Sequence, residues 1–320
     1  MTASPLDFAA VEAAAARIAP YVQRTPLRQS SSLDALAGAQ LLFKCENLQR
    51  AGAFKFRGAC NAVWSLTEAE AARGVVTHSS GNHGAALALA ARTRGIAAHV
   101  VVPDGAVRSK LAAIEAFGAT LHRCAPTIAA RETAAERVRA ETGATLVHPY
   151  TDPRVIAGQG TAALELLDEA GPLDALVAPI GGGGLIGGCA IVARARQPRI
   201  DVFAAEPTGA AEAAASLARG ERVTEFVPDT LCDGLRGTLG AINFDLLRTH
   251  AVQVLTVDDA DTVAAMRLIF ERLKLVVEPS SAIAFAAVLK HRDRFAGRRV
   301  GLVLGGGNVD LDRYFTDMMR

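Results

Sequence analysis

Lys55 stands in the stretch GAFKFRGACNAV (Gly52–Val63), between two phenylalanines and two residues before Arg57. A lysine enclosed by apolar neighbours loses its charge readily, because burial disfavours the ammonium form. The neutral amine is a nucleophile toward carbonyl compounds and forms Schiff bases with them. The same pattern also fits a surface lysine that lays its stem along Phe54 and Phe56. The residues alone leave both readings open. Arg57 reads as an ion-pair partner rather than a reacting group.

The stretch APIGGGGLIGG (Ala178–Gly188) runs from a strand pattern through Gly181, Gly182, Gly183 and Gly184 into a helix pattern. Consecutive glycines let backbone N–H groups approach an anion, and the helix start adds a favourable dipole. One tight turn would need fewer glycines, so a phosphate cradle is expected. Gly182, Gly184 and Gly187 also match G-x-G-x-x-G, with Glu206 ending the next strand. That is a weak dinucleotide fingerprint, and it makes an NAD-dependent oxidoreductase a distant alternative.

Three further segments end strand patterns. In THSSGNHG, the residues Ser79, Ser80, Gly81, Asn82 and His83 crowd polar groups onto a helix start. A plain cap needs one such residue, so a carboxylate-binding loop is expected. AAEPTGAAE holds Glu206 and Glu212, which could share a hard cation or form a solvated acidic loop. LGGGNVD holds Gly305–Gly307 and Asn308, where a turn and a site are equally compatible with the residues. Asp310 and Asp312 are expected to start a final helix.

These segments need a frame. The chain has 320 residues, half hydrophobic, with a net charge of +1. That supports a large core in one or two domains and no nucleic-acid partner. No apolar run reaches the ~20 residues of a membrane span. The first residues read as an amphipathic helix, not a leader. Five scattered cysteines without CxxC suit a reduced, cytoplasmic setting. Short β-like runs alternate with helical ones from GVVTHSS to VGLVLGGG, which predicts an α/β fold with buried parallel sheets. Ligands in such folds sit at the carboxyl ends of strands. A crossing between two lobes is expected near HPYTDP (His148–Pro153).

Together, GAFKFRGA, SSGNHG, HP…VIAGQGT, PIGGGGL, LKLVVEPSSA and GGGNVDL resemble the fold-type II pyridoxal-phosphate enzymes, in order and spacing and over nearly the whole chain. Within that group they resemble the serine/threonine dehydratases (ammonia-lyases) and serine racemases. The resemblance implies a two-lobed, tryptophan synthase beta-like architecture. Its large cofactor-binding domain would comprise residues 1–73 and 152–320, and a small substrate-side domain residues 74–151. It also implies pyridoxal 5'-phosphate as cofactor and a homodimer. The expected reaction converts L-threonine or L-serine to a 2-oxo acid and ammonia. The alternative is racemisation, or racemisation with dehydration, of serine or hydroxyaspartate.

Residue by residue, Lys55 is similar to the lysine that carries the cofactor covalently and later acts as base. Phe54 would lie against the ring, and Asn82 would hydrogen-bond its 3'-oxygen. Gly181–Gly184 and Leu185 would hold the phosphate. Ser79–His83 would grip the substrate carboxylate, with Ser80 on the face opposite the lysine. Glu206, Glu212 and the Ala210 carbonyl are similar to a site for Mg2+ or another divalent cation, and Glu278 to a glutamate near the cofactor. Two departures stand out. Relatives place a hydroxyl against the pyridine nitrogen where this chain has Gly305, which predicts an altered electron sink. Tyr150 would narrow the pocket or contact the substrate. No effector domain is expected after Arg320.

Overall fold

The computed structural model describes residues 6–106 and 108–310. The expected final helix at Asp310 and Asp312 falls at the edge of this range and beyond it. Ten strands form two sheets among the described residues: β1 Leu27–Arg28, β2 Gln40–Cys45, β3 Val75–His78, β4 Ala98–Pro103, β5 Thr120–Cys124, β6 Thr145–Leu146, β7 Ala175–Pro179, β8 Asp201–Pro207, β9 Gln253–Val257 and β10 Arg299–Leu304. One sheet runs β1-β2-β10-β7-β8-β9 and the other β5-β4-β3-β6. Every pair is parallel except β1–β2. The fold is α/β, as the alternation of patterns predicts.

Why parallel sheets? Val100, Val101 and Val102 on β4 are all fully buried. So are Ala175, Leu176, Val177 and Ala178 on β7. Strands with both faces apolar must be covered on both sides, which the connecting helices do. The larger sheet has one core layer on each face. The smaller sheet is built wholly from residues 75–146, and a separate core lies on each of its sides.

The helix Lys55–Trp64 sets the position of the amine. It crosses the helix Pro153–Ala170 at a glycine pair, where a Cβ on Gly158 would lie 2.6 Å from Gly58 Cα. No other residue allows this approach. The Gly58 amide donates to Gln159 Oε1 at 3.1 Å, and Asn61 Nδ2 donates to Arg154 O at 2.7 Å. Arg57, fully buried, donates Nε to Glu46 Oε2 at 2.7 Å and Nη1 to Glu165 Oε1 at 2.8 Å. Lys44 Nζ reaches Glu165 Oε2 at 2.6 Å. Arg57 is thus an ion-pair residue, as expected from its sequence setting.

Candidate functional site

The loops after β3, β7, β8 and β10 leave the carboxyl ends of their strands. Those after β3 and β10 are joined by the Asn308–Asn82 hydrogen bond, the β10 loop holds Phe54 next to Lys55, and the β7 loop packs on Tyr150, the residue after the Pro149 that Lys55 contacts. The chain enters the Lys55 helix through an isolated antiparallel bridge between Ala53 and Gly306. Phe54 N–H donates to Gly305 O at 2.9 Å. Phe54 also packs on Gly305, since a Cβ there would lie 3.3 Å from the ring. A side chain at position 305 would therefore meet the Phe54 ring closely.

Lys55 Nζ donates to the carbonyl of Pro149 at 3.0 Å and lies 5.1 Å from the centre of the Phe54 ring. It is half-buried and not a solvated surface lysine. Desolvation lowers its pKa to about 8, against the opposing pull of Glu278. At pH 7 a group with such a pKa is neutral in about one molecule in ten, whereas an ordinary lysine is neutral in fewer than about one in a thousand.

Gly181–Gly184 follow β7 and open the helix Gly184–Arg196. The amides of Gly181, Gly182 and Gly183 donate to no acceptor among the described residues. Such free donors at a helix start form an anion site. Gly183 has φ +90°, and a Cβ there would lie 2.7 Å from Asn243 Cβ. Neither alanine nor any larger residue suits that backbone. Asn243 Nδ2 donates to Gly182 O at 2.6 Å and to Tyr150 O at 2.8 Å, pinning both segments. Sequence reasoning missed Asn243, because a polar residue early in a helix is an ordinary pattern. It missed the Pro149 carbonyl as well, because no side chain marks it.

Tyr150 lies on the glycine loop, its ring packed over the open face of Gly182. Behind it His148 makes an edge contact at 4.6 Å, and His78 a further one at 5.0 Å. His148 Nδ1 accepts the Thr151 amide at 3.2 Å. Burial lowers the His148 pKa to about 4, with His78 and Lys55 adding to the effect. The imidazole is neutral at physiological pH.

Asn82 and His83 begin the helix Asn82–Arg94. Ser79, Ser80, Gly81 and Asn82 are half-buried, and His83 is buried. His83 Nε2 lies 3.4 Å from Val147 O, while its Nδ1 has no partner among the described residues. Burial holds this imidazole well below its ordinary pKa. Asn82 Nδ2 donates to Glu278 Oε1 at 2.8 Å, and its Oδ1 accepts from Asn308 Nδ2 at 2.9 Å. Glu278 stands immediately before the helix Pro279–Lys290, its side chain turned to Asn82 instead of capping the helix.

Glu206 and Glu212 do not form a solvated acidic loop. They are 1% and 3% exposed. Glu206 accepts the amides of Ala213 and Ala214 at 2.7 and 2.9 Å, and Glu212 accepts that of Leu239 at 2.7 Å. Burial raises their pKa values to about 8 and about 7. The Ala210 backbone lies on the short turn between them.

A family model described as "Pyridoxal-phosphate dependent enzyme" matches residues 18–306. The chain is 48% identical, over 94% of its length and 96% of the relative's, to beta-hydroxyaspartate dehydratase of Paracoccus denitrificans. Maize serine racemase superposes with a TM-score of 0.95 at 44% identity, covering 98% of this chain and 97% of that one. A threonine deaminase from T.th. superposes at 0.91 with 42% identity, covering 95% and 99%. The dinucleotide reading of Gly182, Gly184 and Gly187 is thereby overturned.

Proposed function

Because the chain belongs to the pyridoxal-phosphate dependent enzymes, we propose that it converts a β-hydroxy amino acid into a 2-oxo acid and ammonia. L-Threonine and L-serine are the substrates proposed first. The observation that carries the reading is a desolvated amine at the mouth of a cradle of free amides. Both features fit pyridoxal phosphate. The aldehyde needs a neutral amine, and the phosphate needs donors that no protein group has taken. When bound, the cofactor supplies a carbonyl for amino groups and a conjugated ring that takes up electrons from Cα.

The protein's own groups do the rest. Gly181–Gly184 and the Leu185 amide would hold the phosphate, and Phe54 would support the ring. Ser79–His83 hold the substrate carboxylate and so orient the Cα–H bond toward Lys55. The Lys55 amine, returned to its free form, takes the Cα proton as general base. Tyr150 closes the pocket over the glycine loop and keeps water away from the reacting carbons. Residues 74–151 act as the substrate-side lobe and the remaining chain as the cofactor-side lobe.

A second reading, racemisation, draws support from the half-buried hydroxyl of Ser80 in the carboxylate loop. A proton delivered by Ser80 from the face opposite Lys55 would invert Cα. The relative named as a serine racemase supports serine as its substrate, and the one named as a beta-hydroxyaspartate dehydratase supports 3-hydroxyaspartate as a further substrate of the dehydration. One panel decides: both enantiomers of serine and threonine, and 3-hydroxyaspartate, followed for 2-oxo acid and for chirality. Keto acid from L-threonine without D-product is the expected result. Enantiomer exchange without ammonia would refute the lyase reading.

Gly183→Ala is expected to weaken pyridoxal-phosphate binding by roughly tenfold or more, through strain at its left-handed backbone. Equilibrium dialysis measures this, and retention equal to the parent would remove the cradle from the proposal.

We also propose that Glu206, Glu212 and the Ala210 carbonyl bind Mg2+ or another divalent cation. Hard oxygen ligands and two carboxylates suit such an ion. Saturating Mg2+ or Ca2+ should then stabilise the fold by about 2–3 kcal/mol, read as a rise in melting temperature over chelator-treated protein. Glu206→Gln should abolish the rise. Identical melting with and without both ions would dismiss the site.

A further inference from the structure

Asn82 lies at the centre of a hydrogen-bond chain whose polarity is fixed at both ends. At one end the Ala51 carbonyl accepts from Asn308 Nδ2 at 2.8 Å. A carbonyl only accepts, so the Asn308 amide must turn its nitrogen inward. That nitrogen also donates to Asn82 Oδ1 at 2.9 Å. At the other end Glu278 accepts from Asn82 Nδ2, at 2.8 Å through Oε1 and 3.1 Å through Oε2. An ionised carboxylate also only accepts. Ala51 O and Glu278 thus leave the Asn82 amide a single orientation.

The geometry around this chain is close. Gly52, at φ +72°, would bring a Cβ into the Asn308 side chain. Gly306 would bring one to 2.7 Å from Glu278 Oε1. The two glycines make room for the two ends of the chain. Three loops far apart in sequence therefore meet on one amide.

We infer that Asn308 and Glu278 are positioning residues that hold the Asn82 NH2 group, and not its oxygen, toward the bound cofactor. The inference rests on the proposed reading of Asn82 as the partner of the cofactor's 3'-oxygen, and it assigns the cause of that contact. Glu278 accepts from Asn82 Nδ2 through both oxygens, and an amide NH2 carries two N–H donors, so one N–H can serve the carboxylate while the other donates to the cofactor. That donor stabilises the ionised 3'-oxygen.

The test reads the bound cofactor's absorption, not turnover. Visible spectra of holoprotein are recorded against pH for the parent, Asn308→Ala, Asn308→Asp and Glu278→Gln. Asn308→Ala removes the donor without adding charge. Asn308→Asp keeps the shape but can only accept, so the Asn82 amide must turn. Both should raise the pH midpoint of the spectral change by about one unit. Glu278→Gln keeps an accepting oxygen and should shift it less. Borohydride reduction and peptide mass mapping run in parallel, and each variant should keep its pyridoxyl adduct on Lys55. An unchanged midpoint in both Asn308 variants overturns the inference, because a merely structural role would lower the melting temperature alone. A shift in Asn308→Asp only is a charge effect and overturns it too. A parent without adduct removes the underlying reading, and the inference with it.

Discussion

Lys55→Ala is expected to lower 2-oxo acid formation by roughly 10³-fold or more, since it removes the covalent attachment point and the Cα base together. The fold should survive. Lys55 makes one hydrogen bond, to Pro149 O, and its charge is disfavoured by desolvation. Losing it therefore relieves a cost as well as a contact. Unchanged melting with lost activity is the expected pair of results. Addition of pyridoxal phosphate to cofactor-free parent supplies the pH signature. Its rate should climb as pH rises toward about 8, the lowered pKa of Lys55, and level off above it. The sign follows from the species required, because deprotonation yields the nucleophile and a lowered pKa brings it to lower pH. A rate still rising toward the value of an ordinary lysine would place the amine in water. Activity retained in Lys55→Ala would end the proposal.

The second large effect is on stability. Arg57→Leu should destabilise the protein by about 3–5 kcal/mol, because a buried pair that loses one partner leaves an uncompensated charge. Here Glu46 loses its ion-pair partner, and Glu165 is left with Lys44 alone. Glu46 is fully buried, and the Glu165 side chain is 15% exposed. Burial alone would raise the Glu165 pKa, yet Arg57 and Lys44 hold it below the usual carboxylate range. That depressed pKa adds stability above the unfolded-state value, and the contribution fades as pH falls through the folded one. The variant should show a weaker acid-side dependence, with Lys44 the remaining partner of Glu165. Its melting temperature should fall on the order of 5–10 °C. A fall of under about 2 °C would show that the cluster contributes little. Cofactor binding should weaken alongside, since Arg57 anchors the helix that begins at Lys55.

Both effects depend on one short stretch, and their legibility in the sequence differs. Gly181–Gly184 declared a cradle through repetition of a residue that has no packing value. The polar crowd at Ser79–His83 exceeded what one cap requires. Lys55 stayed ambiguous, because the same residues suit a buried amine and a surface one. The resemblance, not the local pattern, tipped it. Asn308 was equally ambiguous, since its role depends on Ala51 and Asn82, 257 and 226 positions away. For Glu206 and Glu212 spacing alone favoured a solvated loop over a cation site, and burial is what removes the solvated loop.

By itself the sequence determined the alternation of strand and helix, and so the parallel sheets and the strand ends at which ligands collect. Those properties follow from neighbours in the chain: apolar runs, glycine punctuation and caps. Only the tertiary structure decided which strand ends meet, how far Lys55 is desolvated, and which amides are left without an acceptor. Such quantities depend on the distance between residues that are remote along the chain. Gly158 shows this plainly, since it is an unremarked glycine until Gly58 Cα lies 2.6 Å from its absent side chain.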